Sequence, residues 1–355
     1  MGERGYSTGR GPERSGSSGP DAEALGTAGT TGRTGSSMPS HTAVHRGMAK
    51  VGGMAGGSDA STDRFTLTYY DPPEELDRHV LTLFHFEWSE ADIADRHPGA
   101  LGQLFMNLRG KGRICFDDRD DHVTEGAYLF SGFSRAAPLE MKGPWHAIGA
   151  SLTALGWAAL TKSPTDRHVD RIFPASNLLG EDVDRMADEV GDQYRAGAIN
   201  GSEACAALID WIAPRLKAIP AAHEKLIEST ISWLSTSLNP DVEALFDMLG
   251  YSRRQCERLV ARYFGFAPAA LARKYRAIRA ANLLSRRDLS DEGEAEIANA
   301  FYDQPHMIRE IRRFCGHTPT RLGGDGGPLF QTLLRMRNLD RLKHFRLIGE
   351  GQDPA

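Results

Sequence analysis

The chain has 355 residues, 40% of them hydrophobic and 25% charged, which is enough for two domains with cores of their own and excludes a peptide, a fibre or a wholly disordered chain. No run approaches the roughly 20 consecutive apolar residues of a membrane span, and the N-terminus lacks the apolar core of a secretory signal, so a cytoplasmic protein with no membrane partner is expected. The formal net charge of -5 hides an asymmetry: Tyr251 to Arg321 carry 14 Lys and Arg against 8 Asp and Glu, so one basic segment sits in an otherwise acidic chain.

Residues 1–63 are Gly/Ser/Thr-rich, with one aromatic (Tyr6), and cannot bury enough surface to offset ordering entropy; a disordered tail is expected. Met38, Met48 and Met54 lie late in it, which leaves open a later translation start or a flexible extension.

From Phe65 the texture changes to short β-type runs: 65–70, 79–88, 101–108, 113–116, 127–133 and 146–152. DPP, RGKG, DDRDD and KGP read as the turns between them. Strands at this spacing predict a small antiparallel barrel or sandwich. After Gly156 the spacing becomes helical, with connector helices from Glu181 and from Gly201. An α+β protein follows, with a β-rich regulatory domain over 64–220, an all-helical domain over 221–325 and a tail over 326–355. Phe84, Phe86, Trp88, Phe105 and Trp157 could line a ligand pocket, although plain core is the commoner use of such residues.

The helical domain reads as segments at 222–238, 240–249, 253–264, 268–284, 291–299 and 304–314. Two stretches share one plan, about fifty residues apart: a short helix, a tight turn, a polar N-cap, and a helix with an apolar inner stripe and a cationic outer face. In the first, Gly250 permits the turn and Ser252 is placed to cap. Cys256, Leu259, Val260 and Tyr263 form a stripe expected to pack on Val242, Leu245 and Met248. Arg254, Glu257, Arg258, Ala261 and Arg262 face outward. In the second, Asp303 is the N-cap and Pro305 sits in the first turn. Met307, Ile311 and Phe314 form the stripe, and Arg309, Arg312 and Arg313 face outward with Gln304 and His306 at the helix start. One such pattern is usually a solvated face; two copies inside the only basic segment point to duplex DNA, where guanidinium groups can bond guanine O6 and N7.

The segments LFDMLGYSRRQCERLVARYFGFAPAALARKYRAIRAANLL and IANAFYDQPHMIREIRRFCGHTPTRL resemble the two helix-turn-helix units of AraC/XylS-type transcriptional regulators, over residues 226–322. The resemblance implies two recognition helices bridged by a long helix at 268–284 and entering successive major grooves. By motif position it implies DNA contacts from Arg253, Arg254, Glu257 and Arg258 in the first unit, and from Gln304, Pro305, His306 and Arg309 in the second. The stretch from Gly143 through Gly180 is similar to the regulatory domain found on one branch of these regulators. Expected partners are therefore operator or promoter DNA, a small-molecule effector, a second copy of the chain and, for an activator, RNA polymerase. The sequence departs from the family at Phe246 and Glu296, where Ala is usual, and at Ala300, where Gly is usual. A helix-turn-helix protein with weakened DNA binding, acting as an interaction module, is the alternative.

An enzyme is not expected. Gly323–Gly327 and the RGKG of Arg109–Gly112 are incomplete as phosphate loops, and the segment around Ser134 lacks a nucleophile elbow. Cys115, Cys205, Cys256 and Cys315 are too scattered for a zinc ribbon or an alkyl-accepting cluster, and redox sensing through Cys256 or Cys315 is the lesser reading. His79 and His85, with Glu87, could face a barrel interior as a metal site, but ordinary strand histidines are the plainer reading, and no metal or cofactor is expected.

Overall fold

The computed structural model describes residues 59–61, 65–90, 92–99, 101–285, 289 and 291–322. The glycine run at 323–327 and the expected tail at 326–355 lie outside them, as does nearly all of the expected N-terminal tail. That tail's last residues are an exception: β1 (Asp59–Ser61) pairs antiparallel with β2 (Phe65–Tyr70), so the sheet begins before residue 64.

β3 (Val80–Trp88), β4 (Asp92–His97), β5 (Gly102–Cys115), β6 (Asp120–Val123), β7 (Gly126–Phe130), β8 (Ala137–Leu152) and β9 (Phe173–Pro174) complete an antiparallel sheet in the order β1-β2-β3-β8-β5-β7-β9. β4 joins β8, and β6 joins β5. The order is open, since β1 and β9 end it. Two expected turns are not turns. RGKG lies inside β5 and KGP inside β8, and the two strands run past these points still paired, with register shifts between Asn107 and Lys111. Gly110, at φ +90°, supplies the irregularity, and a Cβ there would lie 2.7 Å from the Pro144 carbonyl oxygen. DDRDD is in part β6, whose Asp120 stands opposite Cys115.

Alternation divides the sheet into two faces. Phe84, Phe86, Gln103, Phe105, Leu139, Met141 and Trp145 surround an apolar cavity on one face. Leu83, Leu104, Met106, Ile148, Ala150 and Leu152 face the other way into a second core. That core includes Trp157 of α1 (Ala154–Thr161), Val183, Ala187 and Val190 of α3 (Asp182–Arg195), and Leu208 and Ile212 of α4 (Gly201–Ile212). The short α2 (Ser176–Leu179) precedes α3. Asn200 and Glu203 form a reciprocal capping box at the start of α4, which fixes its entry. Of the aromatics expected to line a pocket, Phe84, Phe86 and Phe105 do. Trp88 packs beside Phe65 outside the cavity lining, and Trp157 belongs to the helix-covered core.

Beyond Pro220 the chain is helical: α5 (Ala221–Leu234), α6 (Val242–Leu249), α7 (Arg253–Phe264), α8 (Pro268–Leu284), α9 (Asp291–Ala300), α10 (Gln304–Cys315) and α11 (Pro319–Leu322). α8 is the axis of this part: Leu271, Tyr275, Ala277, Ile278, Ala280 and Ala281 share one core with Leu245, Val260, Ile297, Ile311 and Phe314. The protein is thus α+β, with an antiparallel β-rich part and connector helices followed by an all-helical part. Among the described residues no helix is long and apolar enough to cross a membrane.

Candidate nucleic-acid interface

The first unit is α6, a turn and α7. Gly250 caps α6 in the left-handed region at φ +67° and donates its N–H to the Phe246 carbonyl. Cys256, Leu259, Val260 and Tyr263 are buried on the inner face of α7. Two expectations fail here. Ser252 occupies the N-cap position, but its side chain makes no capping hydrogen bond. Val242 and Leu245 turn inward as expected, but Met248 is 49% exposed, and Phe246 and Leu249 complete the inward stripe of α6 in its place.

Arg253, Arg254, Glu257, Arg258 and Arg262 are exposed, as expected. Arg253 is drawn back onto its own scaffold, paired with Glu243 and stacked over Phe246, with its guanidinium carbon 5.0 Å from the ring centroid. The large residue at Phe246 is therefore buried, with Arg253 laid over its ring. Arg254, Arg258 and Arg262 have no ion-pair partner among the described residues, so their charges stay available to an external anion.

The second unit is α9, a turn and α10. Asp303 caps α10 by accepting a 2.6 Å hydrogen bond from the His306 N–H, Pro305 lies in the first turn, and Gly316 closes the helix at φ +80°. Ile311 and Phe314 are buried, with Met307 packed against the same core. Gln304, Pro305, Arg309, Arg312 and Arg313 are exposed, while His306 is half-buried with its ring edge-on to Phe301 at 5.8 Å. Glu296 is half-buried, and its Oε1 has no hydrogen-bond partner among the described residues; Arg279 lies close enough for their charges to interact. Ala300 is buried.

Four features of this helical part have no sequence signal. Tyr302, in the turn before α10, is 91% exposed. Glu310, on the inner side of α10, is buried and accepts two hydrogen bonds from Arg273 of α8, that from Nη2 at 2.6 Å. Burial pushes the Glu310 carboxyl up, but the Arg273 hydrogen bonds and charge outweigh it and hold its pKa below the ordinary value. Arg276 of α8 donates to Asn239, in the connection before α6, at 2.7 Å and lies over the Phe301 ring of the second unit's turn. Cys256 and Cys315 are buried, and burial raises both thiol pKa values, which disfavours the reactive thiolate a redox sensor needs.

The fourth such feature lies where α8 meets the β-rich part. Lys274 is 2% exposed, and its Nζ donates to the carbonyls of Gly99 and Phe133, each at 2.7 Å. Burial pushes its pKa down to about 7. The residues that carry these carbonyls stand one contact behind the cavity wall: the Gly99 N–H donates to His97 Nδ1 at 3.0 Å, His97 lines the cavity, and Phe133 stacks edge-on to His97. Burial, with Lys274 nearby, pushes His97 down to about 4. Further ties are made by the C-terminal ends of α7 and α10 and by the residues just beyond α10. The Ala136 N–H donates to the Arg313 carbonyl at 2.9 Å, Thr165 Oγ1 donates to the Tyr263 carbonyl at 3.0 Å, and His317 hydrogen-bonds Asp95 at 2.8 Å.

Residues 245–323 match the model of a helix-turn-helix domain family. Over 123 residues the chain is 32% identical to the HTH-type transcriptional regulator GbdR of Pseudomonas aeruginosa, covering 35% of this chain and 30% of that one. The same values hold for GbdR of a second strain, so the chain spans less than a third of the length of these curated relatives. Among solved structures, an apo form of a ToxT variant from Vibrio cholerae covers 74% of this chain and 97% of its own at 9% identity and a TM-score of 0.38. The AraC-like transcriptional activator CuxR covers 66% and 85% at 12% identity and 0.27. The family match falls on α6 to α11, where two helix-turn-helix units share the bridging helix α8, so this segment of the chain matches a helix-turn-helix domain family.

Proposed function

We propose that the protein is a sequence-specific duplex-DNA-binding transcriptional regulator, in which α7 and α10 read the major groove and the β-rich part, over 64–220, senses a small effector or mediates self-association. The observation that carries this reading is the pair of outward helix faces, Arg254, Arg258 and Arg262 on α7 and Arg309, Arg312 and Arg313 on α10. These cations are exposed and without ion-pair partners among the described residues, on units that share one scaffold helix. Such charges are disposed for phosphates and guanine edges. Gln304, Pro305 and His306 at the start of α10, and Arg253, Arg254 and Glu257 at the start of α7, are the further base-edge candidates.

The apolar cavity supports effector control. A ligand there would press on His97 and Phe130, one hydrogen bond or ring contact from the carbonyls that hold Lys274, and so bias the seat of α8. As an activator it would engage RNA polymerase; as a dimer it would place two reading domains on one operator. No enzymatic step is assigned. Selection from random duplexes by the full chain tests the proposal: an enriched sequence supports it, and equal weak binding to every duplex refutes it. The alternative, an interaction module with lost DNA binding, draws on the unpartnered Glu296 Oε1, which weakens the scaffold of the second unit.

A further inference from the structure

The cavity face of the sheet buries polar groups that nothing in the fold answers. Tyr69 lines the cavity, is 5% exposed, and its hydroxyl has no hydrogen-bond partner among the described residues. Burial raises its pKa well above the ordinary value, so the phenol keeps its proton and stays a donor. Gln103 lines the same cavity, and its side-chain amide likewise has no partner among the described residues. Ser151 stands directly opposite Gln103, on β8 and so on the same face, with its hydroxyl buried and orphaned. Such groups are dry and unpaired at a cost in stability, which a bound molecule with a polar atom of its own would offset.

The remaining wall limits what that molecule can be. Phe84, Phe86, Phe105, Phe130 and Trp145 make it aromatic, with the Phe86 and Trp145 ring centroids 4.7 Å apart. Gly149 leaves the floor bare: a Cβ there would lie 2.4 Å from the Phe84 ring, so glycine is what lets that ring lie across β8. No Lys, Arg, Asp or Glu among the described residues lines the cavity. His97 is neutral, since burial and the nearby Lys274 push its pKa down to about 4, and its Nδ1 accepts from the Gly99 N–H. Lys274 itself, behind His97, is turned to the carbonyls of Gly99 and Phe133. An ion would therefore give up its hydration for a wall without a countercharge. The cavity measures about 80 Å³, against about 150 Å³ for an apolar cavity that takes benzene. A single ring is the upper limit, and the unbranched Met141 is the lining side chain most able to give way for it.

We propose that this cavity binds an uncharged single-ring aromatic molecule bearing one hydroxyl or carbonyl group, whose oxygen accepts a hydrogen bond from Tyr69. The aromatic walls hold the ring by edge and face contacts, and the Gln103 amide is the second polar partner within the lining. The ligand so defined is the effector of the regulatory reading, on which its role in DNA control rests; its binding does not depend on that reading.

The test is calorimetric titration of the full chain, near neutral pH, with p-cresol, toluene and p-toluate. One equivalent of p-cresol should bind saturably, and p-toluate, of similar shape but charged, should bind at least about tenfold more weakly. Tyr69→Phe deletes only the orphaned hydroxyl. It should lose about fivefold in affinity for p-cresol and keep the parent's affinity for toluene, which also shows that its cavity is intact. Absence of saturable p-cresol binding overturns the proposal, as does p-toluate binding as tightly as p-cresol, or undiminished p-cresol binding in Tyr69→Phe. If p-cresol binds with this pattern yet leaves the chain's affinity for duplex DNA unchanged, the ligand class stands and effector control through this ligand falls.

Discussion

Lys274→Met isolates the tie between the bridging helix and the β-rich part. The ammonium donates two 2.7 Å hydrogen bonds in a fully buried position, and burial lowers its pKa from the ordinary 10.5 to about 7. That gap corresponds to a penalty of about 5 kcal/mol on the charged form relative to the neutral one. Between pH 7 and 10.5 the unfolded chain keeps this lysine protonated while the folded chain releases the proton. Stability therefore rises with pH across the window, by at most about 1.4 kcal/mol per pH unit, and is flat below it. From about pH 7 to about pH 9 the contribution sums to about 2 kcal/mol. Methionine keeps the apolar stem and removes the proton site. At pH 7 the lost donors cost about 1–3 kcal/mol per stranded carbonyl, and relief of the buried charge opposes this, so absolute stability is a poor readout. The difference in pH dependence is the sensitive one. Urea unfolding of both proteins at pH 7, 8 and 9 should show the parent gaining about 2 kcal/mol relative to the variant. Parallel profiles would show that Lys274 is not buried against these carbonyls and would remove the proposed route from the cavity to α8.

Glu310→Ala should lower stability by about 2–3 kcal/mol, read by thermal unfolding, because it removes two charge-assisted bonds while leaving a half-exposed Arg273 that water can solvate. Gly99→Ala should be similarly destabilising: at φ +52° a Cβ would overlap the Phe133 ring at 2.2 Å, and the variant should lose tertiary circular dichroism of the aromatic cluster before any helix signal. Arg312→Ala or Arg313→Ala should weaken binding to all duplexes alike and flatten the salt dependence by about one unit for each phosphate no longer neutralised, measured by fluorescence anisotropy across a salt series.

The helix-turn-helix part was largely legible in the chain because its information is local. α7, α8 and α10 begin at the residues that the periodicity marks, and Gly250 at the end of α6 and Asp303 and Gly316 at the two ends of α10 act as their chemistry requires. Met248 misled because a helix of only two turns allows a stripe through either Met248 or Leu249, and packing against α7 chooses Leu249. The sheet was less legible. Gly and Pro in RGKG and KGP signal turns in isolation, yet pairing between β5 and β8 carries both strands through them. β4 reads DIADRH, too polar to mark a strand, and forms because β8 offers it a partner along its whole length. The coupling groups are further from sequence logic still: Lys274 meets carbonyls 175 and 141 residues away, and nothing in ARKYRA separates the buried lysine from its exposed arginine neighbour Arg273.

The most direct test of two-unit DNA reading is duplex selection repeated with Arg258→Ala and with Arg309→Ala. The parent should enrich two short sequence elements about one helical turn apart, since α7 and α10 are assigned to successive major grooves. Each variant should lose preference at one element and keep it at the other, at a cost of about 1–3 kcal/mol in affinity for the parent's sequence. Identical, sequence-independent losses in both variants would contradict the assignment and leave only a nonspecific basic surface.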